Sequence, residues 1–485
     1  MSFLDLAPLL DAHAAEPLPL QAARLLAREI LEGRIAPGEA VPSSRSLAES
    51  LGLSRHVAMS ALRELELEGW VQSRPGSGTY VADPPPASLP RAWGQAPERP
   101  SMPEATPFEL SNGLEPVSTL AASALDLSED VPDARLAPKE ALGRGYRRAL
   151  QRHGNELLGR GESRGNRLLR EELARYLREN RGLRVEAEHL LITRNIPMGL
   201  GLVAAALRGE AAVEDPGDPA YREALGAACR LHPVPVDLEG LVPEALEALL
   251  TQVPLSLLCV TPRAQLPTGA PLSPARRARL LELAREHDFA LAEVDPDLEF
   301  AWEHPAPLPM AAEDPEGRVI HLGSLAHLLA PGLGLAYLAA PTSLVDRLAR
   351  LRQRLEPQGD RVLEWAVADL LRDGDLERHV ARSRKIYRER RDAFLEALTQ
   401  TLGAAFRVHP APAGLFCWLE LPAGLDATAW CARCRCAGLR ILPGSRFDAQ
   451  GRPLPGLRLG FAHLDPEEAR SALAILKGAL PEHHG

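Results

Sequence analysis

The chain has 485 residues, of which 45% are apolar and 25% charged, with a formal net charge of −10. That length is too great for one core and calls for roughly two or three domains. The negative balance excludes a uniformly basic nucleic-acid coat, but not a local DNA-binding face, because phosphates need cations only where the duplex lies. No stretch is apolar and long enough to cross a bilayer, and Met1–Leu10 lacks the basic start and cleavage site of a signal peptide. A cytoplasmic protein without membrane contact is therefore expected.

From the N-terminus, Leu20 to Gly33 predicts a helix whose apolar face includes Ala22, Leu26 and Ile30. Ser43 is placed to cap a short helix that Gly52 ends, and Ser54 to cap a following one. In that third helix Ala58, Ala61, Leu62 and Leu65 recur at i, i+3, i+4 and i+7 and point inward. Its first turn and outer face carry Arg55, His56, Met59, Ser60 and Arg63. A helix in the major groove presents its N-terminal residues to base edges, and arginine matches guanine best. Trp70–Arg74 and Thr79–Val81 then flank Pro75-Gly-Ser-Gly78, a hairpin with a glycine-rich tip. Helix, capped turn, second helix and wing in this order make a winged helix-turn-helix over residues 1–82.

This module resembles the GntR family in Pro42-Ser-Ser-Arg-Ser-Leu-Ala48, Leu51-Gly-Leu-Ser-Arg55, Glu68-Gly69 and Gly76-Ser-Gly-Thr-Tyr-Val81. The resemblance implies a double-stranded DNA operator as partner. It places the contacts at Arg45, Ser54, Arg55 and His56 and along the wing at Arg74, Gly76 and Gly78.

Residues 83–120 are rich in proline, with no apolar period, and read as an extended linker. From 121 to 485 helical stretches alternate with short apolar runs such as Leu190–Thr193, Ser256–Val260, Ala290–Glu293 and Val319–Leu322. Such runs between helices predict an α/β domain with a mainly parallel sheet buried on both faces. Cys431, Cys434 and Cys436 crowd into the helical segment Ala427–Ala437, with Cys417 upstream. Without a fourth ligand they read as small buried residues rather than a zinc site or thiol sensor, and no metal is expected.

The large domain is similar to that of the MocR branch of the GntR family, in which the winged helix is fused to a fold type I aminotransferase-like domain. The similarity rests on Leu158-Gly-Arg-Gly-Glu-Ser-Arg-Gly165, Glu214-Asp-Pro-Gly217, Pro267-Thr-Gly269, Ala330-Pro-Gly-Leu333 and Gly456-Leu-Arg-Leu-Gly-Phe461. It implies a homodimer with pockets near the subunit interface. Pyridoxal phosphate, the cofactor of such folds, requires a lysine for the Schiff base, a carboxylate at the pyridine nitrogen and donors for the phosphate.

By this resemblance the lysine position, in the run Gly323-Ser-Leu-Ala-His327, holds His327, and an imidazole forms no stable imine. Val294 stands at the position of the aspartate that faces the pyridine nitrogen, leaving a buried N–H unpaired at about 1–3 kcal/mol. Ser324 belongs to the same altered run. The phosphate loop reads Thr193-Arg-Asn-Ile-Pro197, and proline has no amide donor. Gly334 replaces an arginine, Asp218 the ring-stacking aromatic and Arg160 a tyrosine. The chain's only lysines, Lys139, Lys385 and Lys477, fall on helical stretches elsewhere. No cofactor is therefore expected.

Arg458 and Arg160, with Arg194 and His327, would border what is left of the pocket. There they would suit a small anionic effector, unless Arg458 pairs with Asp295 or Asp297. The reading is a homodimeric DNA-binding regulator, catalytically inactive, whose large domain pairs two wings and senses a ligand or serves as scaffold. The rival is a working pyridoxal-phosphate-dependent aminotransferase, or a regulator that responds to pyridoxal phosphate.

Overall fold

A computed structural model describes residues 9–12, 14, 16–74, 76–90, 93, 125–296, 299–302 and 307–481. The chain divides into two compact units, Met1–Val117 and Ser118–Gly485.

In the N-terminal unit the helices are Leu18–Leu31, Ser44–Leu51 and Arg55–Leu67. The caps are those expected. Ser43 Oγ accepts from the Ser46 amide, Ser54 Oγ from the Val57 amide, and Gly52 closes the second helix in the left-handed region at φ 66°. Strands Ala40–Val41, Val71–Arg74 and Gly78–Val81 form an antiparallel sheet with the last strand in the middle. Leu26, Leu47, Ala58, Ala61, Leu65 and Trp70 are fully buried and bind the helices to one another and to the hairpin. Leu62 is half-buried and packs against this core. Trp93, within the proline-rich stretch, is also buried there, and its carbonyl accepts from Arg24 Nη1 at 3.1 Å.

The C-terminal unit is built on an eight-stranded sheet. Its spatial order is Leu190–Thr193, Ala336–Ala339, Val319–Ser324, Ala290–Val294, Leu255–Val260, Gly209–Asp215, Cys229–Asp237 and Gly240–Leu241. The five strands from Val319–Ser324 to Cys229–Asp237 run parallel, and the pairings outside them are antiparallel. The sheet is thus mixed, with the predicted parallel part at its centre. Period-two alternation explains why those strands read as unbroken apolar runs. Leu257, Ala292, Val294 and Leu322 enter the core on one face, whereas Leu258, Val260 and Leu291 enter the core on the other.

A smaller antiparallel sheet of Arg407–Pro410, Phe416–Glu420 and Gly456–Gly460 is backed by the long helix Asp375–Leu402 and by Pro466–Gly478. Gly460 is required where this sheet meets the segment before it. A Cβ there would lie 1.8 Å from the Glu129 carbonyl oxygen, and the Gly460 amide donates to the Leu127 carbonyl at 2.8 Å. That close approach brings residues 128–130 over the strand that carries Arg458. No helix among the described residues is long and apolar enough to cross a membrane.

Candidate functional site

Every described residue expected to touch DNA is exposed: Arg45, Ser54, Arg55, His56, Arg74, Gly76 and Gly78. Arg55 and His56 occupy the first turn of the Arg55–Leu67 helix, whose start is fixed by the Ser54 cap. The Ser54 hydroxyl is thereby engaged with its own helix. Among the described residues Arg45 makes only a long, exposed contact to Glu49, 3.4 Å, which leaves its guanidinium usable. In the wing the Arg74 guanidinium lies 4.5 Å over the Tyr80 ring, and Tyr80 Oη lies 2.7 Å from Ser77 Oγ. Gly76 and Gly78 have φ of 75° and 120°, which side chains rarely adopt, so the tip needs glycine. The Tyr80 stack that orients Arg74 was missed from sequence, although the i, i+6 spacing across a hairpin could have indicated it.

In the C-terminal unit, His327 sits in the short helix Leu325–Leu329 directly after Val319–Ser324. Ser324 caps this helix, its hydroxyl accepting from the His327 amide at 3.0 Å. Val294 is 1% exposed at the end of its strand and packs among Ala292, Ile320 and Leu322. Asn195 caps the Ile196–Leu207 helix and takes the Met198 amide at 2.8 Å. With Pro197 in the first turn, two of the amides that a helix N-terminus would offer an anion are missing or engaged. Arg194 lies against Gly334, where a Cβ would be 3.5 Å from Arg194 Cδ, and donates to Glu356 at 2.5 Å.

Arg458 does not pair with Asp295, as the sequence suggested, and Asp297 lies outside the described residues. Arg458 instead donates to the Ser128 carbonyl at 2.7 Å and lies 3.5 Å from Asp130, brought there by the Gly460 approach. Burial pushes the Asp130 carboxyl up, but Arg458 and then His327 and His463 outweigh it and hold it below its ordinary range. Asp218 caps Pro219–Gly226 through the Ala220 amide at 2.8 Å. Its carboxyl is raised by burial and by Asp130, against the pull of Arg458. Arg458 and His327 thus both favour the ionised Asp130, and Arg458 and Asp130 act in opposite senses on Asp218. Arg160 is exposed, and its side chain makes no hydrogen bond or ion pair among the described residues.

Asp295 is occupied elsewhere. Arg263 Nε donates to both its oxygens, at 2.9 and 3.2 Å, and the side chains are 7% and 2% exposed. Close by, Glu299 accepts from Tyr176 and Arg181, and His321 meets Glu293 at 3.1 Å in full burial. Sequence reasoning did not find Arg263, because no local pattern joins the end of one strand to the end of its neighbour. Lys139, Lys385 and Lys477 are all exposed on helices. Burial raises the Cys431 and Cys434 thiols to about 12 and about 11, which keeps them protonated and unreactive.

Two family descriptions match the chain: bacterial regulatory proteins of the gntR family over residues 18–81, and aminotransferase class I and II over residues 119–476. The pyridoxine biosynthesis transcriptional regulator PdxR of Corynebacterium glutamicum is 30% identical over 98% of this chain and 99% of its own. MocR of Rhizobium meliloti is 28% identical over 97% and 95%. The structure of LysN, the α-aminoadipate aminotransferase of Thermus thermophilus, matches 74% of this chain and 92% of that one with TM-score 0.69 and 28% identity. Taken with the exposed reading helix and the mixed sheet, these matches show that the chain belongs to the GntR family of bacterial regulatory proteins, in the MocR-type branch that carries an aminotransferase class I and II domain.

Proposed function

We propose that this protein is a homodimeric transcriptional regulator that reads DNA through residues 1–82 and whose aminotransferase-like domain, residues 121–485, is not an enzyme. What carries this reading is that the position which the family resemblance gives to the Schiff-base lysine holds His327, while every lysine is exposed on a helix elsewhere. The residues around it do not fit pyridoxal phosphate. Val294 offers the ring nitrogen no acceptor, Asp295 is held by Arg263, and the Ser324 hydroxyl and Met198 amide already have partners.

The scaffold role is favoured over sensing of an anion at Arg458, since an incoming carboxylate would have to displace Asp130. Asp130 and Asp218 would also repel it.

The reading predicts that purified protein, with no pyridoxal phosphate added, binds a duplex that it selects from random sequence. Arg55→Ala should weaken that binding by about 1–3 kcal/mol in fluorescence anisotropy, because a bidentate arginine–guanine contact is lost. Equal affinity of the two proteins would remove Arg55 from base reading. A requirement for added pyridoxal phosphate would contradict the proposed role of the large domain.

A further inference from the structure

The helices Asp375–Leu402 and Pro466–Gly478 lie side by side, and a groove of about 480 Å³ opens between them. Its walls are apolar. Phe394, Phe461 and Leu473 form the floor, and the short side chains of Ala393, Ala397 and Ala469 leave the space above it. The rings of Phe394 and Phe461 are 6.1 Å apart between centroids.

Of the four charges at the rim, two are satisfied. Arg390 donates to Asp133 at 2.9 Å and to the Ala462 carbonyl at 2.5 Å. Asp465 caps its own helix and faces Arg135 at 3.4 Å. Two rim charges, one from each helix, have no hydrogen bond or ion pair among the described residues: the Glu389 carboxylate and the Arg470 guanidinium. An apolar trough with one free anion and one free cation complements a molecule that carries an ammonium, a carboxylate and a large apolar group. The volume is within the range of small-molecule sites.

We propose that this groove binds a free amino acid with a large apolar or aromatic side chain. Arg470 takes its carboxylate, Glu389 its ammonium, and the Phe394–Phe461 floor its side chain. The proposal does not depend on the state of the pocket at His327. The groove nevertheless adjoins that region through one helix. His379, on Asp375–Leu402, hydrogen-bonds the Leu328 carbonyl at 3.0 Å, and Tyr387 Oη accepts from the Asp133 amide at 2.9 Å.

Calorimetric titration of the full chain with L-phenylalanine, 3-phenylpropionate and 2-phenylethylamine tests it. L-Phenylalanine is expected to bind at one site per chain, and each analogue, which keeps one charge only, about tenfold more weakly. Glu389→Gln should weaken L-phenylalanine and the amine and leave 3-phenylpropionate unchanged. Arg470→Gln should weaken L-phenylalanine and the acid and leave the amine unchanged. Ala393 is exposed, so Ala393→Trp fills the groove without entering the core and should abolish binding of all three. No binding of L-phenylalanine overturns the proposal, as do analogues that bind equally well or wild-type binding by Ala393→Trp.

Discussion

Arg263→Ala is expected to lower the stability of the C-terminal unit by about 3–5 kcal/mol, because it leaves the Asp295 carboxylate buried without its cation. The pair is almost wholly out of water, and both Asp295 oxygens accept from the one Nε. Asp295 lies at the end of the Ala290–Val294 strand, where its amide donates to the Leu322 carbonyl at 2.9 Å, so it has little freedom to turn toward solvent. The loss should appear as a lower midpoint in urea unfolding followed through tryptophan fluorescence. Removing both charges, as in Arg263→Met with Asp295→Leu, should recover a large part of it, since two apolar groups need no compensation. A single variant within about 1 kcal/mol of wild type would show that the pair does not hold this part of the fold together.

Glu214→Gln is expected to stabilise the protein in alkaline solution and to matter much less in acid. Glu214 is 7% exposed, and burial raises its carboxyl to about 7, against the lowering effect of the Thr261 hydroxyl and amide that it accepts from. Between the ordinary carboxyl range near 4.5 and about 7, the unfolded chain has lost this proton and the folded chain retains it. Unfolding therefore releases a proton in that window, and wild-type stability falls as pH rises through it. The deficit reaches about 3 kcal/mol and is constant above it. Glutamine has no such proton, so its advantage over glutamate should grow from pH 5 to pH 8 in urea unfolding. A difference equal at both pH values would mean that Glu214 is already ionised in the fold.

Much of the N-terminal unit was legible because its signals are local. The caps at Ser43 and Ser54 and the left-handed Gly52 each act within a few residues of where they are written. The central strands were legible for a related reason, since burial on both faces leaves continuous apolar runs. The antiparallel flank of the sheet was not, because Leu190–Thr193 and Ala336–Ala339 look the same whichever way they pair.

Around His327 the departures from the family motif could be read from sequence, but the side-chain partners found there could not. His327 and Val294 stand out against the motif, whereas Asp130 reaches Arg458 only because a distant segment folds over Gly460. Arg263 likewise meets Asp295 across two neighbouring strands, 32 residues apart. Long-range pairing of charges leaves no period in the chain, so Asp295 was wrongly offered to Arg458.

If the aminotransferase-like domain is not an enzyme, as proposed, it forms no covalent bond to pyridoxal phosphate. The most direct test is the visible absorbance spectrum of the purified full chain after incubation with pyridoxal phosphate and desalting. No retained band above that of the protein alone is expected, and no cofactor fixed by borohydride on any peptide. A retained band that borohydride abolishes, with the label on Lys139, Lys385 or Lys477, would contradict the proposal.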